Sequence, residues 1–316
     1  MPSEFEFIQN IKKKYGLKHV GDDCAVLPKD DKSDLVITAD MLVEGIDFRL
    51  DWTTPEFLGH KALAVSLSDI AAMGATPKWA MLSIGIPENI WKTDFADKFY
   101  EGWFSLAEKF GVELVGGDVS KTPDKIVIDC MVGGEVAAGN AVFRSTARPG
   151  DGIFVSGSLG GAAGGLSLRE SGKRFDENAP EPTQNLILRQ LQPQPRIELA
   201  GMLRSRNLAS SMIDISDGFS SDLAHLCDAS GVGATIANIP VDQNLYEHFS
   251  NDEAIELALH GGEDFELLFT VPKEKISVVE KLPVIRVGTV SSNIESIELI
   301  RGTEKTALLP KGYRHF

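Results

Sequence analysis

At 316 residues, with 43% hydrophobic and 24% charged residues, the chain has an ordinary globular composition and is long enough for about two domains. Its 31 Lys+Arg against 46 Asp+Glu give a net charge of −15, and without a basic stripe this argues against nucleic-acid binding. No apolar run approaches the length of a membrane span, and the start, MPSEFEFIQNIKKKYG, lacks the apolar core of a signal peptide.

The first motif in chain order is GDDCAVL (21–27), two adjacent acids followed at once by an apolar run. DLVITAD (34–40) is a β-branched strand closing on Asp40, and PEFLGHKALAVSLSDIAAM (55–73) carries apolar residues at helical spacing with Gly74 as its stop. WAMLSIGI (79–86) is a strand; residues 93–110 form a helix capped by Thr93 or Asp94 and ended by Gly111. VELV (112–115) and KIVIDCMVG (125–133) are strands, and ARPGDGIFVSG (147–157) combines a Pro-Gly turn with a new strand. This alternation predicts an α/β fold, divided near Gly150 into domains 1–149 and 150–316. SGKRFDENAPEPTQ (171–184) is expected to be a mobile loop. Cys24, Cys130 and Cys227 form no CxxC pair, as expected of reduced, buried thiols in a cytoplasmic protein.

Acids recur where strands meet loops. Asp118 follows two glycines in ELVGGDVSK; in MIDISDGFSSDL (212–223) alternation sets Asp214 and Ser216 opposite Ile213 and Ile215, with Asp217 at the turn. Asp69 shares a helix side with Ser66, and HGGEDFELLFT (260–270) places a glycine pair and two acids before a strand. Any one of these could be only a cap or turn. Together they suggest one acidic cleft at the strand ends, where ligands gather in α/β proteins.

Carboxylates without His or Cys partners favour a hard cation such as Mg²⁺, and magnesium held this way points to a nucleotide polyphosphate. No HxxxH, EF-hand, GxxxxGK[ST] or GxSxG pattern occurs. The amides of SGSLGGAAGGLSL (156–168) could cradle an anion or simply form a tight strand-to-helix turn. Arg144 and Lys121 are candidates for phosphate charge.

The motifs VGDDCAVL, TADMLVEGIDF, KALAVSLSDIAAMGATPKWAMLSIGIP, ELVGGDVSK, FRSTARPGD, IDISDGFSSDLAHL, GGEDFELLFTVP and KGYRHF together resemble the thiamine-monophosphate kinase family. That family belongs to the superfamily of aminoimidazole-ribonucleotide synthetase and selenophosphate synthetase. SLSDIAAMGA alone indicates only the superfamily, whereas GGEDFELLFT with KGYRHF points to the kinase. The resemblance spans nearly the whole chain. It implies an α/β (α+β) fold of two domains, the N-terminal mixed sheet dimerising through its strands and the C-terminal domain completing the cleft. It also implies ATP-dependent phosphorylation of thiamine monophosphate to thiamine diphosphate by direct in-line transfer.

Carried over by position, the metal ligands would be Asp23, Thr38, Asp40, Asp69, Asp118, Asp214 and Asp217, with Asp40, Asp118 and Asp214 catalytic. Tyr100, the Gly117–Asp118 turn, Arg144 and Ser216 would hold ATP; Asp47, Asp264 and Tyr313 would line the substrate pocket. Asp22 is expected to shape its turn. Three positions depart from the family pattern: Asp47 where His is usual, Ala39 where a hydroxyl residue is common, and Ser66 where Asn is common. A selenophosphate-synthetase-like enzyme is the alternative, although Cys24 follows the Asp pair rather than preceding a glycine-rich segment. A non-catalytic nucleotide- or metal-binding protein is the other.

Overall fold

The computed structural model describes residues 4–294 and 296–313. The first half of the chain runs α1 (Glu4–Tyr15), β1 (Ala25–Pro28), β2 (Ser33–Val43), α2 (Pro55–Ala72), β3 (Thr76–Pro87), α3 (Glu88–Trp91), α4 (Phe95–Phe110), β4 (Glu113–Thr122) and β5 (Val127–Ala137). Its strands form one mixed sheet in the order β1-β2-β5-β3-β4, antiparallel except for the β3–β4 pair.

The second half runs β6 (Gly152–Val155), α5 (Gly161–Glu170), α6 (Glu181–Leu191), α7 (Ile197–Ser205), β7 (Ser211–Asp214), α8 (Phe219–Ser230), β8 (Gly233–Ile236) and α9 (Asn251–His260). It ends with β9 (Leu267–Val271), α10 (Ile276–Val279), β10 (Ile285–Ser291), β11 (Ile297–Arg301) and β12 (Glu304–Ala307). These seven strands form a second sheet in the order β12-β11-β8-β10-β6-β9-β7. No described helix is long and apolar enough to cross a membrane.

Helix α2 ties the two halves together. Thr54 caps it by accepting from the Phe57 amide at 3.3 Å, and Pro55 starts it where a missing N–H costs nothing. Its residues are buried nearly all round, as in a helix enclosed by protein on every side. One face packs on β2 and β5, another on α4, while Ala71 and Ala72 join Phe154, Met212 and Phe269 of the second sheet in a shared apolar cluster. The α2–α4 crossing depends on two glycines. A Cβ at Gly59 would lie 1.9 Å from the Phe99 carbonyl oxygen, and one at Gly102 would lie 1.9 Å from that of Glu56.

Several sequence-level boundaries move. Strand β2 continues past Asp40 to Val43 because β5 supplies partners as far as Val127. The Gly117–Asp118 pair is no turn: parallel pairing with β3 carries β4 straight through it to Thr122. The 171–184 segment is pinned rather than free. Arg174 donates from Nε to the Asp51 carbonyl (2.7 Å), Phe175 meets Phe57 edge-on at 5.4 Å, and α6 already begins at Glu181. The helix stops do stand as expected, since Gly74 and Gly111 both take the left-handed conformation.

Candidate active site

Three carboxylates from three separate elements meet where the halves join. Asp23 comes from the turn before β1, Asp69 from the last turn of α2 and Asp214 from the end of β7; each offers an oxygen within 4.8 Å of the others. Hydroxyls orient two of them: Thr38 Oγ1 donates to Asp69 at 2.5 Å and Ser68 Oγ to Asp214 at 2.6 Å. Arg144 Nη2 donates to Asp23 Oδ1 at 2.5 Å, and its own carbonyl is held by Ser211 and Ser230. Asp22 shapes the turn as expected, accepting the Asp23 amide (3.1 Å) and the Arg144 amide (3.3 Å).

Alternation along β2 sets Val36, Thr38, Asp40 and Leu42 on the face under α2, so Asp40 points inward beside Ser66. Among the described residues, the buried oxygens Asp23 Oδ2 and Asp40 Oδ2 have no hydrogen-bond partner. Burial drives the electrostatics. It pushes Asp23 and Asp69 well above the usual carboxylate range; Arg144 opposes this at Asp23, and repulsion from Asp40, Asp214 and Asp23 adds to it at Asp69. Burial likewise pushes Asp40 and Asp214 up to about 6, against the hydrogen bonds of Ser66 and Ser68. Such a group of acids is relieved by protonation or by a cation among them. The Cys24 thiol beside it is raised by burial and by these acids, which makes it a poor nucleophile.

A second group lies one turn on. Asp222 accepts the amides of Asp217 and Gly218 through Oδ2 and, with Asp217 and His225, presents ligand atoms within 4.8 Å of one another. The i,i+3 spacing of Asp222 and His225 sets them on one face of α8. A histidine beside the acids was not expected from the sequence. Ser216 sits in the same turn, its carbonyl accepting the Glu263 amide.

The substrate candidates separate. Asp47 Oδ2 accepts the Val43 amide at 2.7 Å, and the charges of Asp47, Glu263 and Asp217, after partial burial, raise the Tyr313 hydroxyl. Those acids therefore lie within electrostatic range of the Tyr313 hydroxyl, and the Tyr313 amide bonds the Asp217 carbonyl at 3.0 Å. Asp264 is instead occupied by its own chain. It accepts the amides of Gly160 and Ala162 (2.6 and 3.1 Å) and lies 3.4 Å from Arg189, so the glycine-rich turn cradles a protein carboxylate. Residues 314–316 of KGYRHF lie outside the described residues.

Asp118 and Tyr100 stand apart from the cluster. Asp118 is exposed on β4, level with Ser83 and Asp129 on the sheet face that also bears Met41, Met81 and Met131, opposite the face of Asp40. Gly117 is beside it, and Ala39 shares that outer face. Tyr100 lines a recess along α4 with Asp97, Glu101 and Phe104. Lys121 pairs with Glu88 at the surface. A cavity of about 530 Å³ adjoins the acid cluster, lined by Lys12, Lys18, His19, Asp22, Cys24 and Phe143.

Sequence reasoning missed the buried ion pairs of the cleft. Lys61 of α2 reaches Glu263 at 2.6 Å, and Glu263 and Phe265 hold positive φ angles of 67° and 49°. Two strained non-glycine residues flanking Asp264 mark a backbone forced by its surroundings. The available signal was a lone lysine in the otherwise apolar HKALAVSL.

Residues 21–136 match the family model described as AIR synthase related protein, N-terminal domain, and residues 148–295 match the corresponding C-terminal domain. The chain is 39% identical to the thiamine-monophosphate kinase of Escherichia coli K12, over 94% of this chain and 91% of that protein. It is 36% identical to that of Bacillus subtilis 168, over 99% of both. A solved structure described as AaThiL complexed with AMPPCP and TMP superposes with a TM-score of 0.87 at 36% identity, covering 99% of this chain and 97% of the other. The chain belongs to the thiamine-monophosphate kinase family of AIR-synthase-related proteins.

Proposed function

We propose that the protein transfers the terminal phosphoryl group of ATP to thiamine monophosphate, forming thiamine diphosphate and ADP, as a Mg²⁺-dependent cytoplasmic homodimer with domains 1–149 and 150–316. The observation that carries this reading is the Asp23–Asp69–Asp214 cluster, with the unpartnered Asp23 Oδ2 and, beside the cluster, Asp40 Oδ2, in a chain of this family. Its donors are carboxylates and a hydroxyl, which suit a hard cation. Asp23, Thr38, Asp40, Asp69 and Asp214 would hold Mg²⁺, with Asp217 at the mouth. When bound, the ion supplies charge neutralisation for the polyphosphate and the transferring group.

Arg144, fixed by its main-chain contacts, would offer its guanidinium to a phosphate oxygen, and Ser216 follows two residues after Asp214. Ser220, whose Oγ meets His260 Nδ1 at 2.8 Å, is fully buried and out of reach of a phosphate, and the acceptor phosphate is itself an anionic nucleophile. Direct transfer by positioning follows. Tyr100, Gly117 and Asp118 serve ATP from the outer sheet face and α4. That face exposes Met41 (60%), Met81 (41%) and Met131 (36%), more apolar surface than a solvated sheet favours, and pairing two copies there would bury Asp118 beside the second. Purified protein with Mg-ATP should convert thiamine monophosphate to the diphosphate and sediment as a dimer. ATP hydrolysis with no diphosphate formed would refute the kinase reading, and a monomer at micromolar concentration would refute the dimer.

Asp47 and Tyr313 flank the pocket, and Asp264 holds its wall. A carboxylate at 47 suits the cationic thiazolium but would repel the substrate phosphate by roughly 4 kcal/mol at ~4 Å in an effective dielectric near 20. The ring end is therefore placed toward Asp47. Asp47→His should raise KM for thiamine monophosphate more than KM for ATP, and Asp47→Lys should be far worse. Tighter substrate binding by Asp47→Lys would reverse that orientation.

A further inference from the structure

The chain leaves the second core at Leu308 and docks again three residues later. Leu308 is buried and its amide bonds the Ile297 carbonyl at 2.8 Å, whereas Leu309 is exposed. Lys311, Gly312 and Tyr313 then hydrogen-bond in succession to the start of α8 and the turn before it. The Lys311 amide donates to Ser220 Oγ at 3.3 Å, the Gly312 amide to Ser221 Oγ at 3.0 Å, and the Tyr313 amide to the Asp217 carbonyl at 3.0 Å. The middle residue admits no side chain. A Cβ at Gly312 would lie 2.3 Å from the Asp217 carbonyl oxygen and 2.6 Å from Ser221 Oγ.

This docking contributes little to the core. Lys311 and Tyr313 stay exposed, Tyr313 at 51%, so the segment buries no large apolar side chain. Hydrogen bonds gain little net free energy in water, and ordering three residues offsets much of that gain. What the docking does fix is register. The Ser216 and Asp217 carbonyls are consecutive acceptors: the first takes the Glu263 amide at 2.7 Å and the second takes the Tyr313 amide. Asp222 holds the turn itself by accepting the amides of Asp217 and Gly218. One turn thus gathers Asp217, Glu263 and Tyr313 from three distant stretches of chain.

Building on the proposed kinase activity, in which Tyr313 flanks the substrate pocket and Asp217 stands at its cation mouth, we infer that Ser221 and Gly312 are positioning residues for thiamine monophosphate. They dock the C-terminal segment as a strap across the start of α8, and both act through Tyr313. Ser221 contributes a buried hydroxyl that accepts the strap's middle amide, and Gly312 contributes the missing side chain that lets the strap approach the Asp217 carbonyl. Because the docking is close to balanced, a small change at either residue releases the strap while the rest of the fold stands.

Steady-state kinetics on the full chain, with each substrate varied in turn, test this. Gly312→Ala should raise KM for thiamine monophosphate about tenfold or more, with KM for ATP unchanged within about twofold and the melting temperature within about 3 °C of the parent. Ser221→Ala removes one hydrogen bond and should raise the same KM about two- to tenfold. Tyr313→Ala should raise it at least as much as Gly312→Ala, and combining the two should add less than about twofold, since both remove one interaction. An unchanged KM for thiamine monophosphate in Gly312→Ala, or losses that multiply in the double variant, would overturn the assignment. If Gly312→Ala fails to fold, Ser221→Ala alone and combined with Tyr313→Ala decides by the same comparison. A parent enzyme inactive on thiamine monophosphate would instead refute the kinase reading on which this rests.

Discussion

Asp214→Asn is expected to stabilise the metal-free protein at neutral pH while lowering turnover by about 10²-fold or more. The change keeps the side-chain shape and an oxygen for the Ser68 hydroxyl, but removes one of the crowded negative charges. Burial, with repulsion from Asp40 and Asp217, pushes the native carboxyl up to about 6. A carboxyl whose folded value lies above its unfolded one binds protons more tightly when folded. Its contribution is therefore most favourable at low pH and is lost as pH rises from about 4 through 6. The variant's advantage should be near zero at pH 4 and reach about 1–3 kcal/mol above pH 7, since each tenfold difference in proton affinity is worth about 1.4 kcal/mol. Mg²⁺ should stabilise the parent and leave the variant little changed, because only binding to the folded state raises the melting temperature. Thermal denaturation at pH 4, 6 and 8, with and without Mg²⁺, reads all of this. A variant less stable than the parent at pH 8 without metal, yet fully active, would make Asp214 a turn residue.

The largest loss of stability is expected from Glu266→Gln. Glu266 is fully buried and accepts from Arg189 at 2.8 Å, from Arg196 Nε at 2.7 Å, and from Ser156. Burial alone would raise its pKa; the Arg196 hydrogen bond and the charges of Arg189 and Arg196 outweigh burial and hold it below the ordinary value. Removing the charge takes from Arg196 its carboxylate partner and leaves Arg189 with Asp264 alone, at 3.4 Å. That costs about 3 kcal/mol by analogy with other broken buried pairs. A depressed carboxyl contributes above its unfolded pKa and loses that contribution as pH falls through the folded one. The gap between parent and variant should therefore narrow below about pH 4. Urea denaturation checks it: an equal midpoint at pH 7 would mean that the arginines do not depend on Glu266.

Local pattern exposed much of this molecule. Alternation in MIDIS set Ile213 and Ile215 together, and both enter one apolar cluster while Met212 enters another; the helix of residues 55–73 was evident from its apolar spacing. The acids at Asp23, Asp40, Asp69 and Asp214 were legible because each stands against a run of apolar residues. What pattern could not supply was long-range pairing. Whether β4 stops at Gly116 depends on β3, and whether 171–180 is held depends on Asp51 and Phe57, more than a hundred residues away. The same holds for the ion pairs: nothing near Lys61 in the chain announces Glu263, and nothing near Asp264 announces that it fills the turn at Gly160.

The central claim is that the buried aspartates form the cation site of a phosphoryl-transfer cleft. Anomalous diffraction from crystals soaked with Mn²⁺ and a non-hydrolysable ATP analogue tests it directly. The expected result is an ion within about 2.2 Å of carboxylate oxygens of Asp23, Asp69 and Asp214, with the analogue's phosphates beside Arg144. An ion bound only at Asp217, Asp222 and His225, with those three aspartates still pointing at one another, would contradict it.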